Sequence, residues 1–195
     1  MPRWLSPRIK LKMLKSIFRN IYRWLNRLLS VRSNVVIHPN LVVGVSSYIT
    51  APNRLEIGRD VSIGRNCWIA CDGRIGNGVL ISSYVAIAGR YDHDMREVGV
   101  PISMASWVYD SDLSEDVKDK NTIVIEDDVW IGVGSVILSG LRVGRSAVIA
   151  AGSTVTRDVS ENTIVAGNPA KAVGQRFSAS DFVIQSEALS RRYRK

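Results

Sequence analysis

The chain has 195 residues with a formal net charge of +8, and 46% of its residues are hydrophobic. This composition excludes a disordered protein, and no apolar run approaches the roughly 20 residues of a membrane span or forms a signal peptide, so we expect a cytoplasmic protein. Two cysteines, Cys67 and Cys71, are too few for a disulfide scaffold, and two histidines, His38 and His93, exclude a metal site of three imidazoles from one chain.

The basic charge is concentrated in an N-terminal segment, residues 1–32, which we predict to be an amphipathic helix. This segment carries nine Lys or Arg and no acid, whereas residues 33–195 have a net charge of −1. Ser6-Pro7 is typical of a helix start. Apolar residues then recur at helical spacing, with basic residues opposite. The apolar positions are Leu14, Ile17, Phe18, Ile21, Trp24, Leu25, Leu28 and Leu29, and the basic ones are Lys15, Arg19, Arg23 and Arg27.

The sequence leaves two roles open for this helix. It either lies on an anionic membrane, which would make the protein peripheral at the inner face, or caps the neighbouring fold and helps copies of the chain to assemble. Nucleic acid is not an expected partner, because the rest of the chain is near neutral and carries no recognition motif.

A six-residue period dominates the middle of the chain. Isoleucine recurs at every sixth position from Ile57 to Ile87, and aliphatic residues do so again from Ile125 to Val155. A weaker run from Ile37 to Leu55 precedes them, with a two-residue slip before Ile57. The periodic positions of the two main runs are Ile57, Ile63, Ile69, Ile75, Ile81, Ile87, Ile125, Ile131, Ile137, Val143, Ile149 and Val155.

This period is typical of a parallel β-helix, in which each hexapeptide forms one short strand and a turn. Three hexapeptides close a triangular coil of about 18 residues, with the aliphatic side chains stacked inside. A β-sandwich would show a period of two, which the isoleucine spacing contradicts. We therefore predict an all-β repeat of about five coils over residues 33–176, followed by a short helix within residues 177–195 that packs on the last coil.

The period is interrupted by a long loop, residues 89–124. Long loops in repeat folds are usually functional. This loop contains His93 between Asp92 and Asp94, an arrangement that favours a general base whose tautomer is fixed by a carboxylate or a backbone carbonyl. Trp107 and Tyr109 lie further along the loop. They either stack against a sugar or pack the loop on the coils.

Five segments carry a family resemblance, and they include the signatures VWIG at residues 129–132 and GNPAK at residues 167–171. The segments are Ile57–Ile87, Tyr91–Asp94, Asp127–Gly132, Val148–Asp158 and Val165–Lys171. They resemble the hexapeptide-repeat acyltransferases that use acetyl-CoA, in the branch of the galactoside, maltose, nodulation-factor and exopolysaccharide acetyltransferases. The resemblance implies a left-handed β-helix, a homotrimer with active sites between neighbouring prisms, acetyl-CoA as cosubstrate and no metal.

By position, the resemblance also implies site residues. His93 would be the base, with Asp92 and Asp94 in support. Small residues at Gly132 and Ala151 would let the pantetheine approach the backbone, and Arg157 and Lys171 would face the phosphates of CoA. Trp130 either forms a wall of the channel that would hold CoA or packs against the protein. The implied CoA contacts are Gly132, Val133, Ala151, Thr156, Arg157 and Lys171.

One residue departs from the family pattern. Tyr84 stands where the maltose and galactoside enzymes carry an asparagine that contacts the substrate, so a different acceptor is expected. We predict an O-acetyltransferase acting on a sugar hydroxyl of a surface polysaccharide or its precursor. The alternatives are N-acetylation of an amino sugar or antibiotic, and a β-helix scaffold without catalysis. His38, Cys67 and Cys71 are expected to be structural.

Overall fold

The structure is a computed structural model that describes residues 7–89, 93–107 and 122–194. In this part of the chain a parallel β-helix lies between two helices, α1 (Pro7–Ser30) and α2 (Ala179–Tyr193). α1 begins at the proline that marked the predicted helix start. The β-helix has three faces, here called sheets I, II and III, and each complete coil contributes one strand to each face.

The strands are short because each hexapeptide also supplies a turn. Sheet I contains β1 (Val35–Ile37), β4 (Leu55–Ile57), β7 (Gly73–Ile75), β10 (Ile123–Ile125) and β13 (Arg142–Val143). Sheet II contains β2 (Val42–Val43), β5 (Ser62–Ile63), β8 (Leu80–Ile81), β11 (Trp130–Ile131), β14 (Val148–Ile149), β16 (Thr163–Gly167) and β17 (Ala170–Gln175). Sheet III contains β3 (Tyr48–Thr50), β6 (Trp68–Ala70), β9 (Ala86–Ala88), β12 (Val136–Leu138) and β15 (Thr154–Val155).

The six-residue period sets the register of the coils. Ile57 pairs with Ile75, Ile75 with Ile125, and Ile125 with Val143, so equivalent residues of successive coils stack directly. All four are fully buried. Because the buried aliphatics form columns through the interior, the coils share one hydrophobic core. The predicted β-helix is confirmed, and the predicted loop lies in the long step between Ile75 and Ile125.

Corners of the coils carry residues in the left-handed backbone region, and each of them except Asn162 is followed by a buried side chain. Gly, Asn, Asp and Ser tolerate this conformation, and they occupy every such corner except one. The exception is Tyr84, with φ of 62°. The positions are Asn40, Ser46, Asp60, Asn66, Gly78, Tyr84, Asp128, Gly134, Gly140, Ser146, Gly152 and Asn162.

Three details differ from the expectations. A sixth, incomplete coil beyond the five predicted begins where Val159 bridges to Val143 and continues in β16, and β17 then turns back antiparallel to β16. The two-residue slip lies in the corner before β4, because Leu55 and Ile57 share that strand and are both buried. Sheet I resumes at Ile123, two residues before the periodic Ile125.

Helix α2 was expected to pack on the last coil, but it lies along the edge between sheets I and II. Gln185 Nε2 donates to Asp128 Oδ2 at 2.8 Å, and Arg192 Nη2 lies 3.2 Å from Asp60 Oδ2, two coils further back. Hydrogen bonds from Asn40 and Arg192 hold the pKa of Asp60 below its usual range. Polar contacts thus attach α2, which buries none of its own side chains.

Candidate active site

His93 is exposed, and its tautomer is set by a backbone carbonyl. Its Nδ1 lies 3.2 Å from the carbonyl oxygen of Ala105. A carbonyl oxygen only accepts, so Nδ1 carries the hydrogen and Nε2 keeps its lone pair. The neutral imidazole is therefore arranged as a base at Nε2. A backbone carbonyl was one of the two partners expected for this ring, but the sequence could not identify Ala105, since every residue has a carbonyl.

The segment around His93 is held by local hydrogen bonds. His93 forms an antiparallel bridge with Trp107, and the Asp94 N–H donates to the Ser106 carbonyl at 2.9 Å. The Asp94 carboxylate accepts from the backbone N–H of Arg96 at 2.9 Å, so Asp94 shapes the turn next to the base. Trp107 is 43% exposed beside His93. The candidate residues Asp92 and Tyr109 lie outside the described residues.

A second group of candidate residues lies along the edge between sheets II and III, here called the II–III edge. The Gly134 N–H donates to the Ser83 carbonyl at 3.1 Å, and the Gly152 N–H donates to the Val133 carbonyl at 2.8 Å. Counted from the N-terminus, coil 3 contains β7–β9, coil 4 contains β10–β12 and coil 5 contains β13–β15. These two bonds stack the corners of coils 3, 4 and 5. The structure therefore brings Tyr84, Val133 and Ala151 together in one column, as a site that runs along the coils would require.

Tyr84 is the strained member of this column. Its backbone is left-handed and the residue is 63% exposed, so burial of the ring does little to offset the unfavourable conformation. A bulky residue in this region costs on the order of 1–3 kcal/mol, and such residues cluster at functional sites. The strain makes Tyr84 a candidate for a functional role at this edge.

Gly132 has a different explanation from the one that the resemblance suggested. A Cβ at this position would lie 2.5 Å from the backbone N of Ala151 and 2.8 Å from the Ile149 carbonyl oxygen. Stacking of coil 5 on coil 4 therefore excludes any side chain at residue 132. Close approach by pantetheine is not needed to explain the glycine.

The two candidate phosphate-binding cations lie at different edges. Lys171 is in β17 opposite Ala166, just beyond the II–III edge, whereas Thr156 and Arg157 follow β15 at the edge between sheets III and I. Arg157 and Lys171 are exposed, and within the described residues neither forms an ion pair. Both charges are thus available to an anionic ligand.

Trp130 lies on the outer surface of sheet II and is not part of the core. Its indole is 49% exposed, and Nε1 lies 3.3 Å from Ser82 Oγ, so the ring is directed toward the corner that contains Tyr84. This position fits a channel wall better than internal packing.

Both cysteines are buried, as expected for structural residues. Cys67 Sγ donates to the Ser82 carbonyl at 3.1 Å, and burial raises the pKa of its thiol. A thiol of this kind is a poor nucleophile. His38 is also structural, because its Nε2 lies 2.9 Å from Glu56 Oε1 on the outer face of sheet I and lowers the pKa of that carboxyl. Within the described residues, no cluster of His, Cys, Asp and Glu is suited to a metal.

Comparison with known proteins identifies the repeat. Residues 122–157 match the family model described as bacterial transferase hexapeptide (six repeats). A 2,3,4,5-tetrahydropyridine-2,6-dicarboxylate N-acetyltransferase of Staphylococcus aureus is 52% identical over 59 residues, which cover 30% of this chain and 25% of that protein. The chain thus spans about a quarter of the length of the curated relatives it matches.

Solved structures extend the likeness over most of the chain. The polySia specific acetyltransferase NeuO superposes with a TM-score of 0.54 at 25% identity, covering 80% of this chain and 72% of that one. A galactoside acetyltransferase in complex with coenzyme A gives a TM-score of 0.51 at 23% identity, covering 75% and 67% of the two chains, and shows the shared fold alone. The predicted resemblance to hexapeptide-repeat proteins is confirmed.

Proposed function

We propose that this chain, whose residues 122–157 match the bacterial transferase hexapeptide model, is an acetyl-CoA-dependent acyltransferase that acetylates a sugar hydroxyl. The observation that carries the proposal is the imidazole of His93, whose Nδ1 faces the Ala105 carbonyl while Nε2 stays available on an exposed loop. The acceptor class is a surface polysaccharide or its precursor, a choice supported by the likeness to a polysialic acid acetyltransferase.

In this mechanism His93 Nε2 removes the proton from the acceptor hydroxyl as its oxygen attacks the thioester carbon of acetyl-CoA. The carbon–sulfur bond then breaks, and the protonated His93 returns the proton to the leaving thiolate. Backbone N–H groups would stabilise the negative charge on the thioester oxygen. Transfer in this mechanism is direct and needs no covalent intermediate, and both cysteines are buried.

The proposed site is shared between copies of a homotrimer. Tyr84 lies at the start of strand β9, and His93 follows the end of that strand in sequence. The column that contains Tyr84 and the segment that contains His93 therefore adjoin opposite edges of sheet III. A threefold arrangement would place the loop of one copy against the II–III edge of the next. Acetyl-CoA would then lie beside Val133 and Ala151, with Lys171 and Arg157 available for its phosphates.

A second candidate function is N-acetylation of an amino sugar. The observation that favours it is the local identity of 52% to an N-acetyltransferase, although this covers only 59 residues. His93 would serve equally well here, because an attacking amine also has to lose a proton.

The proposal is tested by measuring thiol release from acetyl-CoA with a panel of neutral sugars, amino sugars and polysaccharide fragments. We expect release that depends on the acceptor, and an acetylated product from which mild alkali removes the acetyl group. An alkali-stable product would identify an amide and support the second candidate. No binding of CoA at about millimolar concentration would contradict both and favour a scaffold.

Tyr84→Asn is expected to raise stability while lowering activity. Asparagine tolerates the left-handed backbone, so the unfolding free energy should increase by about 1 kcal/mol. Loss of the ring should lower kcat/KM for the acceptor by about tenfold, the order expected for one aromatic contact. Urea unfolding and acceptor kinetics measure the two effects. Tyr84→Phe is the control, because it keeps both the ring and the strain, and unchanged kinetics in Tyr84→Asn would mean that the ring is not used.

A further inference from the structure

Helix α1 is fixed to the first coil by a narrow polar face near its C-terminus. Asn26 Nδ2 donates to the Val43 carbonyl at 2.6 Å, and Asn26 and Ser30 are both buried. After the helix, the Arg32 N–H donates to the Ile49 carbonyl at 2.9 Å. The helix therefore covers the start of the β-helix, and its orientation on the body is defined.

The apolar face of α1 is left uncovered by this attachment. Phe18, Leu25 and Leu29 are 64%, 47% and 70% exposed, and their spacing places them on one side of the helix. Asn26 follows Leu25 directly, so the face against the coil is rotated by about 100° from this apolar side. The exposed apolar set is Phe18, Ile21, Tyr22, Trp24, Leu25, Leu28 and Leu29. Seven exposed apolar side chains on one helix indicate an interaction surface.

The charge of the segment selects the partner. Residues 1–32 carry nine basic and no acidic residues, while the rest of the chain has a net charge of −1. Pairing α1 with α1 of a second copy would bring two such clusters of like charge together, which is unfavourable. An anionic lipid surface, in contrast, attracts each Lys or Arg that lies near it.

We propose that the apolar face of α1 docks the protein onto an anionic lipid bilayer. The helix would lie flat, since 24 residues span about 36 Å, with the leucines in the acyl boundary and Trp24 and Tyr22 at headgroup level. Among the described residues, neither helix is both long and apolar enough to cross a bilayer. This inference does not depend on the proposed function.

The test is cosedimentation of the full chain with vesicles of phosphatidylcholine alone and with about 30% phosphatidylglycerol. We expect binding to the anionic vesicles that weakens when salt is raised from about 0.1 M to about 0.5 M. Leu25→Glu/Leu29→Glu should lower the partition coefficient by about tenfold or more, because it removes two inserted side chains. Both residues are exposed, so the variant should keep its fold, which circular dichroism would check.

A matched control lies on the other helix. Val183→Glu/Ile184→Glu replaces two similarly exposed residues of α2 with the same change of charge, and it should bind like the unaltered chain. Equal loss in both variants would mean that charge alone governs binding, which would overturn the assignment to this face. If the α1 variant bound vesicles normally but changed the oligomer mass in solution, the face would pair between copies, and the proposal would be wrong.

Discussion

Replacement of His93 by alanine is expected to lower the turnover number for acetyl transfer by about 10²–10⁴-fold, the contribution that a positioned general base makes. The loss should fall on kcat and leave KM for acetyl-CoA nearly unchanged, because the imidazole acts on the acceptor proton. His93 is exposed and makes one side-chain hydrogen bond within the described residues, so the melting temperature should stay within a few degrees of the original. Steady-state kinetics and thermal unfolding measure both quantities.

Two controls separate catalysis from positioning. Added imidazole should restore part of the activity of His93→Ala, since an exposed site admits a small base, whereas it should not help a variant that has merely lost loop structure. His38→Ala should keep full activity, because His38 contacts Glu56 on the outer face of sheet I. Full turnover by His93→Ala would remove the base from the proposed mechanism, whatever the acceptor.

The coils could be predicted from sequence because their determinants are local and periodic. A buried aliphatic at every sixth residue requires equivalent strands to stack, and the pairings of Ile57, Ile75 and Ile125 follow directly. The sixth coil was missed because Val165 pairs with Ile149 after a step that breaks the period. The path of α2 was missed because it depends on contacts between distant residues, such as Arg192 with Asp60.

The candidate site also has one part that the six-residue period predicts and one part that it does not. The corner positions of Tyr84, Val133 and Ala151 are fixed by the period, so their alignment along one edge follows from the repeat. The surroundings of His93 lie in a non-repeating segment, where the conformation depends on particular hydrogen bonds. Neither the Ala105 carbonyl nor the bridge from His93 to Trp107 has a sequence signal.

Gly132→Ala is expected to destabilise the β-helix by about 3 kcal/mol, at the upper end of the range for overpacked sites. The added Cβ would lie 2.5 Å from the Ala151 N and 2.8 Å from the Ile149 carbonyl oxygen, and these are backbone atoms of the next coil. No rotamer change relieves such a contact, so coils 4 and 5 would have to separate locally. The midpoint of urea unfolding, followed by circular dichroism, measures the loss.

Two other glycines serve as matched controls. They distinguish a steric effect of coil stacking from the effect of a left-handed backbone. A Cβ at Gly174 would meet no atom within 4 Å, and its backbone is not left-handed, so Gly174→Ala should change the unfolding free energy by no more than about 0.5 kcal/mol. Gly134 is equally open but has φ of 70°, so its replacement should cost about 1 kcal/mol through the backbone alone. If Gly132→Ala were instead as stable as the original chain and raised only KM for acetyl-CoA, residue 132 would be small to admit the pantetheine, and coil stacking would not be the reason for the glycine.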